Sequence, residues 1–210
     1  MSPTPSQMSD KVNGIYEAND VKSETSDTYE IGIKDYVNDN TFISMSFFRL
    51  EKDGEIMKDK KDNDNISWKN LGKTRRNGIE FNMENYFGNL TLSSGFVYID
   101  AVEKTENGNE RLEEIPRFKA NVSANYRLTS KLDTTVSYTY MGSKEGQGIM
   151  NSSRSLTDVG VRYRVTESLT VKAGINNLFN KEYYESQNNR GLTANPGEER
   201  SYYMGFKMTF

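Results

Sequence analysis

The chain has 210 residues, 27 Lys and Arg against 30 Asp and Glu, a formal net charge of −3, and neither Cys nor His. Without Cys and His it has no disulfide, thiol nucleophile, Ser-His-Asp triad or imidazole metal cage. The charge offers no basic surface for nucleic acid, and no run of about 20 apolar residues exists to cross a membrane as a helix. Hydrophobic residues make up only 34%, yet 13 Tyr and 10 Phe are present. That profile fits a polar soluble or disordered chain. It equally fits membrane-crossing strands, in which only alternate residues meet lipid.

Residues 1–24 alternate poorly and read as an extracellular loop or irregular N-terminal segment; a strand within 12–22 is the only candidate there. Met1-Ser-Pro-Thr-Pro has no basic or apolar leader, so an exported protein is not expected to begin in this way. From residue 25 onward, period-two alternation predicts nine strands. The first, 26–36, sets Tyr29, Ile31 and Ile33 against Glu30, Gly32 and Lys34. The second, 41–50, offers Ile43, Met45 and Phe47 on one face, but Phe42 and Phe48 on the other. The third, 74–87, has Ile79, Phe81 and Met83 against Glu80, Asn82 and Glu84, and the fourth, 90–101, has Leu90, Leu92, Phe96 and Tyr98 outward.

The fifth, 117–128, alternates most cleanly: Phe118, Ala120, Val122, Ala124, Tyr126 and Leu128 against Lys119, Asn121, Ser123, Asn125 and Arg127. The sixth, 131–141, carries Leu132, Val136, Tyr138 and Tyr140 outward. The seventh, 154–165, carries Val159, Val161, Tyr163 and Val165, and the eighth, 169–177, carries Leu169, Val171, Ala173 and Ile175. The ninth ends the chain. Tyr202, Met204, Phe206, Met208 and Phe210 share one face, and Ser201, Tyr203, Gly205, Lys207 and Thr209 the other.

Short connections (37–40, 88–89, 129–130, 166–168) alternate with long polar ones (51–73, 102–116, 142–153, 178–198). A soluble sandwich has no reason for this asymmetry. A transmembrane antiparallel β-barrel does, with periplasmic turns and extracellular loops. The fold class is therefore all-β: a barrel portion of about nine meandering strands, over 25–210. Phe87, Tyr98, Tyr126, Tyr140 and Tyr163 are placed to form interfacial girdles. The apolar terminal strand resembles the signal read by the bacterial barrel-assembly machinery.

Three stretches carry a family resemblance. Asn176-Asn177-Leu178-Phe179-Asn180-Lys181-Glu182-Tyr183-Tyr184, followed by Asn195-Pro196-Gly197-Glu198-Glu199-Arg200 and the terminal strand, resembles the C-terminal signature of TonB-dependent outer-membrane receptors of the iron–siderophore type. Ser23-Glu24-Thr25-Ser26-Asp27-Thr28-Tyr29-Glu30-Ile31-Gly32-Ile33-Lys34 and Gly72-Lys73-Thr74-Arg75-Arg76-Asn77-Gly78-Ile79-Glu80 resemble two further strands of that family. Asn176 and Asn177 suit a strand-to-loop turn, and Phe179 is expected to pack back on the rim.

The resemblance implies a multi-pass barrel in the outer membrane of a Gram-negative bacterium, in contact with lipid. It implies TonB-dependent uptake of an iron–siderophore or similar nutrient, with no enzymatic activity and no cofactor. Such barrels have about 22 strands around a plugged lumen, so nine strands imply a C-terminal portion of a truncated or split reading frame. Contact with the TonB energy-coupling protein would lie in the missing N-terminal part, and the portion is expected to be non-functional alone. A complete small barrel acting as anchor or adhesin is the alternative, although nine strands break the even-number rule.

Other polar groupings are weaker as sites. Glu113 and Glu114 are neighbours on opposite faces of an extended chain, which suits a solvated loop better than an acid–base pair. Asp59, Asp62, Asn63 and Asp64 supply oxygens for Ca²⁺ but lack the glycine and closing glutamate of a calcium loop. Inward Lys119, Arg127, Arg162, Arg164 and Lys207 could attract an anionic chelate, or pair with Asp133, Asp158, Glu80 and Glu84.

Overall fold

A computed structural model describes residues 1–61, 65–112, 115–144, 152–187 and 194–209, all as strands, turns and loops without helix among the described residues. The strands are β1 (Ser9–Val12), β2 (Ile15–Ala18), β3 (Thr25–Asn38), β4 (Thr41–Asp53), β5 (Ile56–Lys61), β6 (Ile66–Asn70), β7 (Lys73–Phe87) and β8 (Leu90–Thr105). They continue as β9 (Gly108–Arg111), β10 (Phe118–Arg127), β11 (Leu132–Met141), β12 (Arg154–Arg164), β13 (Leu169–Asn176), β14 (Tyr184–Gln187), β15 (Ala194–Pro196) and β16 (Ser201–Met208).

The main sheet runs β16-β13-β12-β11-β10-β8-β7-β4-β3, with β9 on β8. Every pairing is antiparallel, and all nine expected strands are present. β3 and β16 are its two edges. The sheet is a meander because each pair of long strands is joined by a turn or by a loop that returns beside its origin.

Register gathers the apolar residues into continuous rows. One row runs Ile33, Met45, Phe81, Phe96, Ala120, Tyr140; the next runs Ile31, Phe47, Ile79, Tyr98, Phe118. Rings touch along them: Phe81–Phe96 at 5.2 Å, Phe96–Phe118 at 6.1 Å and Phe118–Tyr140 at 6.0 Å between centroids. The opposite face carries rows such as Lys34, Ser44, Asn82, Gly95, Asn121, Thr139.

The doubtful second strand resolves here. Ile43, Met45 and Phe47 of β4 take the apolar face, while Phe48 lies on the polar face over Gly78. A Cβ at Gly78 would sit 2.2 Å from the Phe48 ring, so glycine makes room for that ring. Phe42 instead meets Tyr36, with centroids 5.1 Å apart.

Among the described residues, the buried hydrophobic side chains are only Ala101, Val102 and Leu112. A sandwich of this length would bury the inner faces of two packed sheets. This main sheet leaves its rows of Phe, Tyr, Ile and Val uncovered, and such a surface needs an apolar medium.

The structure is more ordered at the loop end than the alternation indicated. β4, β7 and β8 continue past their expected ends into the first two long loops. The segment before residue 25 holds the β1–β2 hairpin, closed by Asn13-Gly14 with φ of 49° and 84°. Asn-Gly is the favoured type I′ hairpin pair; that turn signal outweighs the weak alternation around it. The first long loop folds into the β5–β6 hairpin. The two hairpins join into a four-stranded sheet, β2-β1-β6-β5. Asn107-Gly108, with Gly108 at φ 124°, similarly folds β9 back on β8.

Candidate functional site

The two ends of the main sheet differ. One end carries the tight turns at 39–40, 88–89, 129–131 and 166–168, held by bonds such as Leu128 N to Leu132 O at 2.9 Å and Val165 N to Leu169 O at 2.9 Å. The other end carries the four-stranded sheet, β9 and the β14–β15 hairpin.

In β16, Tyr202, Met204, Phe206 and Met208 lie opposite Ile175, Ala173, Val171 and Leu169 of β13, on the apolar face. Met204 and Phe206 are 80% and 79% exposed. Phe210 lies outside the described residues. Tyr203 takes the polar face and lays its ring over Gly174, with its hydroxyl reaching toward Gly160. Phe87, Tyr126 and Tyr163 fall on the apolar face near the tight turns, and Tyr98 and Tyr140 toward the loop end.

The signature after β13 is a hydrogen-bonded knot. Asn177, only 4% exposed, adopts φ 48°. Its backbone N–H donates to Asp158 Oδ1 at 2.8 Å, and its Nδ2 donates to the carbonyls of Lys181 at 2.9 Å and Glu198 at 3.0 Å. Its Oδ1 accepts from Lys181 N at 2.8 Å. Asparagine is suited to this role because it tolerates the left-handed region and carries both donors and an acceptor. Asn176 Nδ2 donates to Ser201 Oγ at 3.2 Å, and Leu178 N donates to Thr157 O at 2.7 Å.

Phe179 departs from expectation. It is 73% exposed rather than packed on the rim, because the tight turn from Asn177 to Asn180, both at positive φ, carries it outward. The ring that packs is Tyr183. It covers Gly197, where a Cβ would lie 2.1 Å from it, and the Arg154 guanidinium sits 4.7 Å from its centroid. Pro196 pairs with Tyr184 in the β14–β15 ladder. Beside them a cleft of about 270 Å³ is lined by Lys144, Arg154, Lys181, Glu182, Tyr183 and Tyr184 among others.

A second grouping, which draws Glu24, Thr74 and Arg76 from the two strand motifs and Glu55 and Lys52 from outside them, ties the four-stranded sheet to the main one. Glu55, 9% exposed, accepts from Arg76 Nη2 at 2.7 and 2.9 Å and from Thr74 Oγ1 at 2.7 Å. Lys52 Nζ lies 3.4 Å from Glu55 and 3.3 Å from Glu24, whose other oxygen accepts from Ile56 N at 3.2 Å. Burial alone would raise the Glu55 pKa. The hydrogen bonds from Arg76 and Thr74, with the charges of Arg76 and Lys52, outweigh it and hold the carboxyl below its ordinary value.

Of the inward cations, Arg162 donates to Asp133 at 2.7 and 3.0 Å, and Arg127 lies 3.7 Å from the same carboxylate. Asp158 is taken by Asn177, and Glu84 by the Tyr86 hydroxyl. The pairing pool is therefore smaller than the sequence implied. Glu113, Glu114, Asp62, Asn63 and Asp64 lie outside the described residues, as does the side chain of Asp59.

A single sheet with a lipid-type face, a polar face, a tight-turn end and a loop end defines a wall of a membrane β-barrel. The family model for the TonB dependent receptor-like β-barrel matches residues 1–178, and the chain belongs to that family. It is 26% identical over 236 aligned residues to the probable TonB-dependent siderophore receptor PirA of Acinetobacter baumannii, covering 91% of this chain and 30% of that one. It is 25% identical over 208 residues to the catecholate siderophore receptor Fiu of Escherichia coli, covering 91% and 26%. Among solved structures, the ferric enterobactin receptor of Pseudomonas aeruginosa in complex with enterobactin superimposes with a TM-score of 0.73 at 22% identity, covering 90% of this chain and 32% of that one. The chain thus spans less than a third of the relatives it matches. The family comprises receptors that transport rather than enzymes.

Proposed function

We propose that this chain forms the C-terminal part of the barrel wall of an outer-membrane receptor for TonB-dependent uptake of an iron–siderophore. The observation that carries this reading is the uncovered apolar face of a nine-strand meander whose turns are short at one end and elaborated at the other. In this reading the apolar rows meet outer-membrane lipid, the tight turns face the periplasm, and the four-stranded sheet and the β14–β15 hairpin face outward. Tyr202, Met204, Phe206, Met208 and Phe210 serve as the strand read by the assembly machinery. Energy coupling by TonB uses parts of the receptor beyond this sequence. The edges β3 and β16, unpaired with each other, count against a self-contained small barrel.

The substrate class proposed is an anionic aromatic iron chelate of the catecholate type, as the name of the Escherichia coli relative suggests. The loop-end cleft supports this: Lys144, Arg154 and Lys181 offer positive charge and Tyr183 and Tyr184 offer aromatic surface. The test is uptake of radiolabelled ferric catecholate by iron-starved cells expressing the complete receptor, combined with protease applied to the same intact cells. Uptake that requires TonB and falls with Lys144→Gln/Lys181→Gln, and cleavage within 51–73 and 178–198, are expected. Cleavage only after the outer membrane is opened inverts the topology and rejects the reading.

A further inference from the structure

The loop-end cleft is built from two halves that the fold supports unequally. Met141, Lys144 and Arg154 lie at or just beyond the paired ends of β11 and β12, which belong to the main sheet. Lys181 to Tyr184 come from the segment after β13. Among the described residues, β14 pairs with β15 and with no strand of the main sheet. No ladder between strands therefore sets how far Lys181 and Tyr183 stand from Arg154.

The Asn177 side chain supplies that constraint. Its amide bonds Lys181 twice, accepting from the N–H at 2.8 Å and donating to the carbonyl at 2.9 Å, and it donates again to the Glu198 carbonyl at 3.0 Å. The backbone beneath it is fixed to β12, with Asn177 N–H on Asp158 and Leu178 N–H on Thr157. Asn180 closes the turn: its N–H donates to Asn177 O and its Oδ1 accepts from Arg200 N, both at 2.8 Å. Beyond this knot, Gly197 N–H donates to Tyr183 O at 2.8 Å, and Arg154 Nη1 donates to Tyr184 O at 3.3 Å.

We infer that Asn177 is a positioning residue for the chelate cleft: it presets Lys181 and Tyr183 at the spacing from Lys144 and Arg154 that an anionic aromatic ligand meets. This rests on the reading above that the cleft receives the chelate. A ligand with dispersed charge gains from cations and a ring already in place, because every loose side chain that must be ordered at binding lowers affinity. The side-chain chemistry is specific. Aspartate keeps the acceptor and loses both donors, and glutamine sets its amide one bond, about 1.5 Å, further from the backbone. Glycine keeps the left-handed backbone at φ 48° and makes none of the three kinds of bond.

The test uses the complete receptor in outer-membrane vesicles, with ferric catecholate carrying radioactive iron as probe. Folded receptor is counted by heat-modifiable gel migration, so that Kd is read per assembled molecule. Asn177→Gly should raise Kd on the order of 10-fold, because Lys181 and Tyr183 must then be ordered during binding. The same change in a Lys181→Gln/Tyr183→Ala receptor should alter Kd by less than about 2-fold, since the side chains it positions are gone. An asparagine with only a structural role would lower the count of folded receptor and leave Kd per molecule unchanged, and that result overturns the proposal. An equal loss of affinity in both backgrounds also overturns it. If Asn177→Gly does not assemble, Asn180→Gly replaces it. That variant accepts the positive φ and releases Arg200, so about a 3-fold loss is expected and an unchanged Kd refutes the proposal. Affinity indifferent to Lys144→Gln/Lys181→Gln would strike the cleft reading itself, and this proposal with it.

Discussion

Tyr203 and Gly174 form a pair whose energetics can be set out before measurement. A Cβ built on Gly174 would stand 2.5 Å from the Tyr203 hydroxyl oxygen and 2.6 Å from Cε1 and Cζ. Ordinary carbon contacts are about 3.5–4.0 Å, so Gly174→Ala must push the ring about 1 Å off the sheet. Overpacking of this kind costs about 1–3 kcal/mol. The lower half applies here, because Tyr203 is about half exposed and can swing toward the polar side. With Tyr203→Ala in place the clash is gone, and the same Gly174→Ala change removes only a glycine's excess entropy in a strand, a gain of about 0.5–1 kcal/mol. The substitution therefore changes sign with its background, and the cycle should show a coupling of at least about 1.5 kcal/mol. Urea unfolding from micelles, followed by far-UV circular dichroism at constant m-value, measures all four corners. Additive costs within about 0.5 kcal/mol would show that the ring does not rest on Gly174, and would remove the support for Tyr203 facing the lumen.

Three other perturbations probe different parts of the wall. Met204→Arg on the apolar face should cost about 2–4 kcal/mol at mid-membrane depth, whereas Lys207→Arg on the polar face should be close to neutral, read by urea midpoints in lipid bilayers. Arg76→Met removes two charge-assisted bonds from buried Glu55 and should loosen the four-stranded sheet by about 1.5–3 kcal/mol, seen as faster hydrogen exchange in β5 and β6 but not in β10. Because the folded Glu55 pKa is depressed, its contribution is complete above the unfolded value of about 4.3 and disappears as pH falls through the folded value. The difference in protection between wild type and Arg76→Met should therefore shrink as pH falls through the folded value; a difference that persists after the carboxyl is protonated argues against the network. Asn177→Asp keeps the left-handed turn but turns two donors into acceptors facing the carbonyls of Lys181 and Glu198, and should cost about 2–4 kcal/mol with early loss of the β14–β15 hairpin. A cost under about 0.5 kcal/mol would mean the knot is not formed.

Residues such as Phe118 to Arg127 made the wall legible, because each strand has one lipid-type face and one polar face and the period of two is therefore unbroken. The tight turns were legible for the same reason, since they interrupt that period briefly. What escaped was structure held by pairings distant in sequence. Glu55 looks like a solvated charge in a polar connection and Arg76 like one residue of a strand motif, and only the fold makes them partners. Lys11 of β1 meets Ile66 of β6 across more than fifty residues with no pattern linking them. The signature residues were visible but their division of labour was not. Tyr183 rather than Phe179 does the packing, because the opening that receives a ring is the missing side chain of Gly197.

The order of the main sheet also bears on how the wall is made. Apart from the β9 branch, neighbours along β7 to β13 are neighbours in the chain, so most contacts close loops of modest length. Local closure is fast, and a hairpin can add to its predecessor without waiting for a distant partner. The union of the β1–β2 and β5–β6 hairpins must bridge a longer stretch than the described strand-to-strand connections of the main sheet, and that stretch contains the first hairpin of the wall. The wall should therefore zip hairpin by hairpin, with the outer four-stranded sheet completed after β3 and β4 have paired.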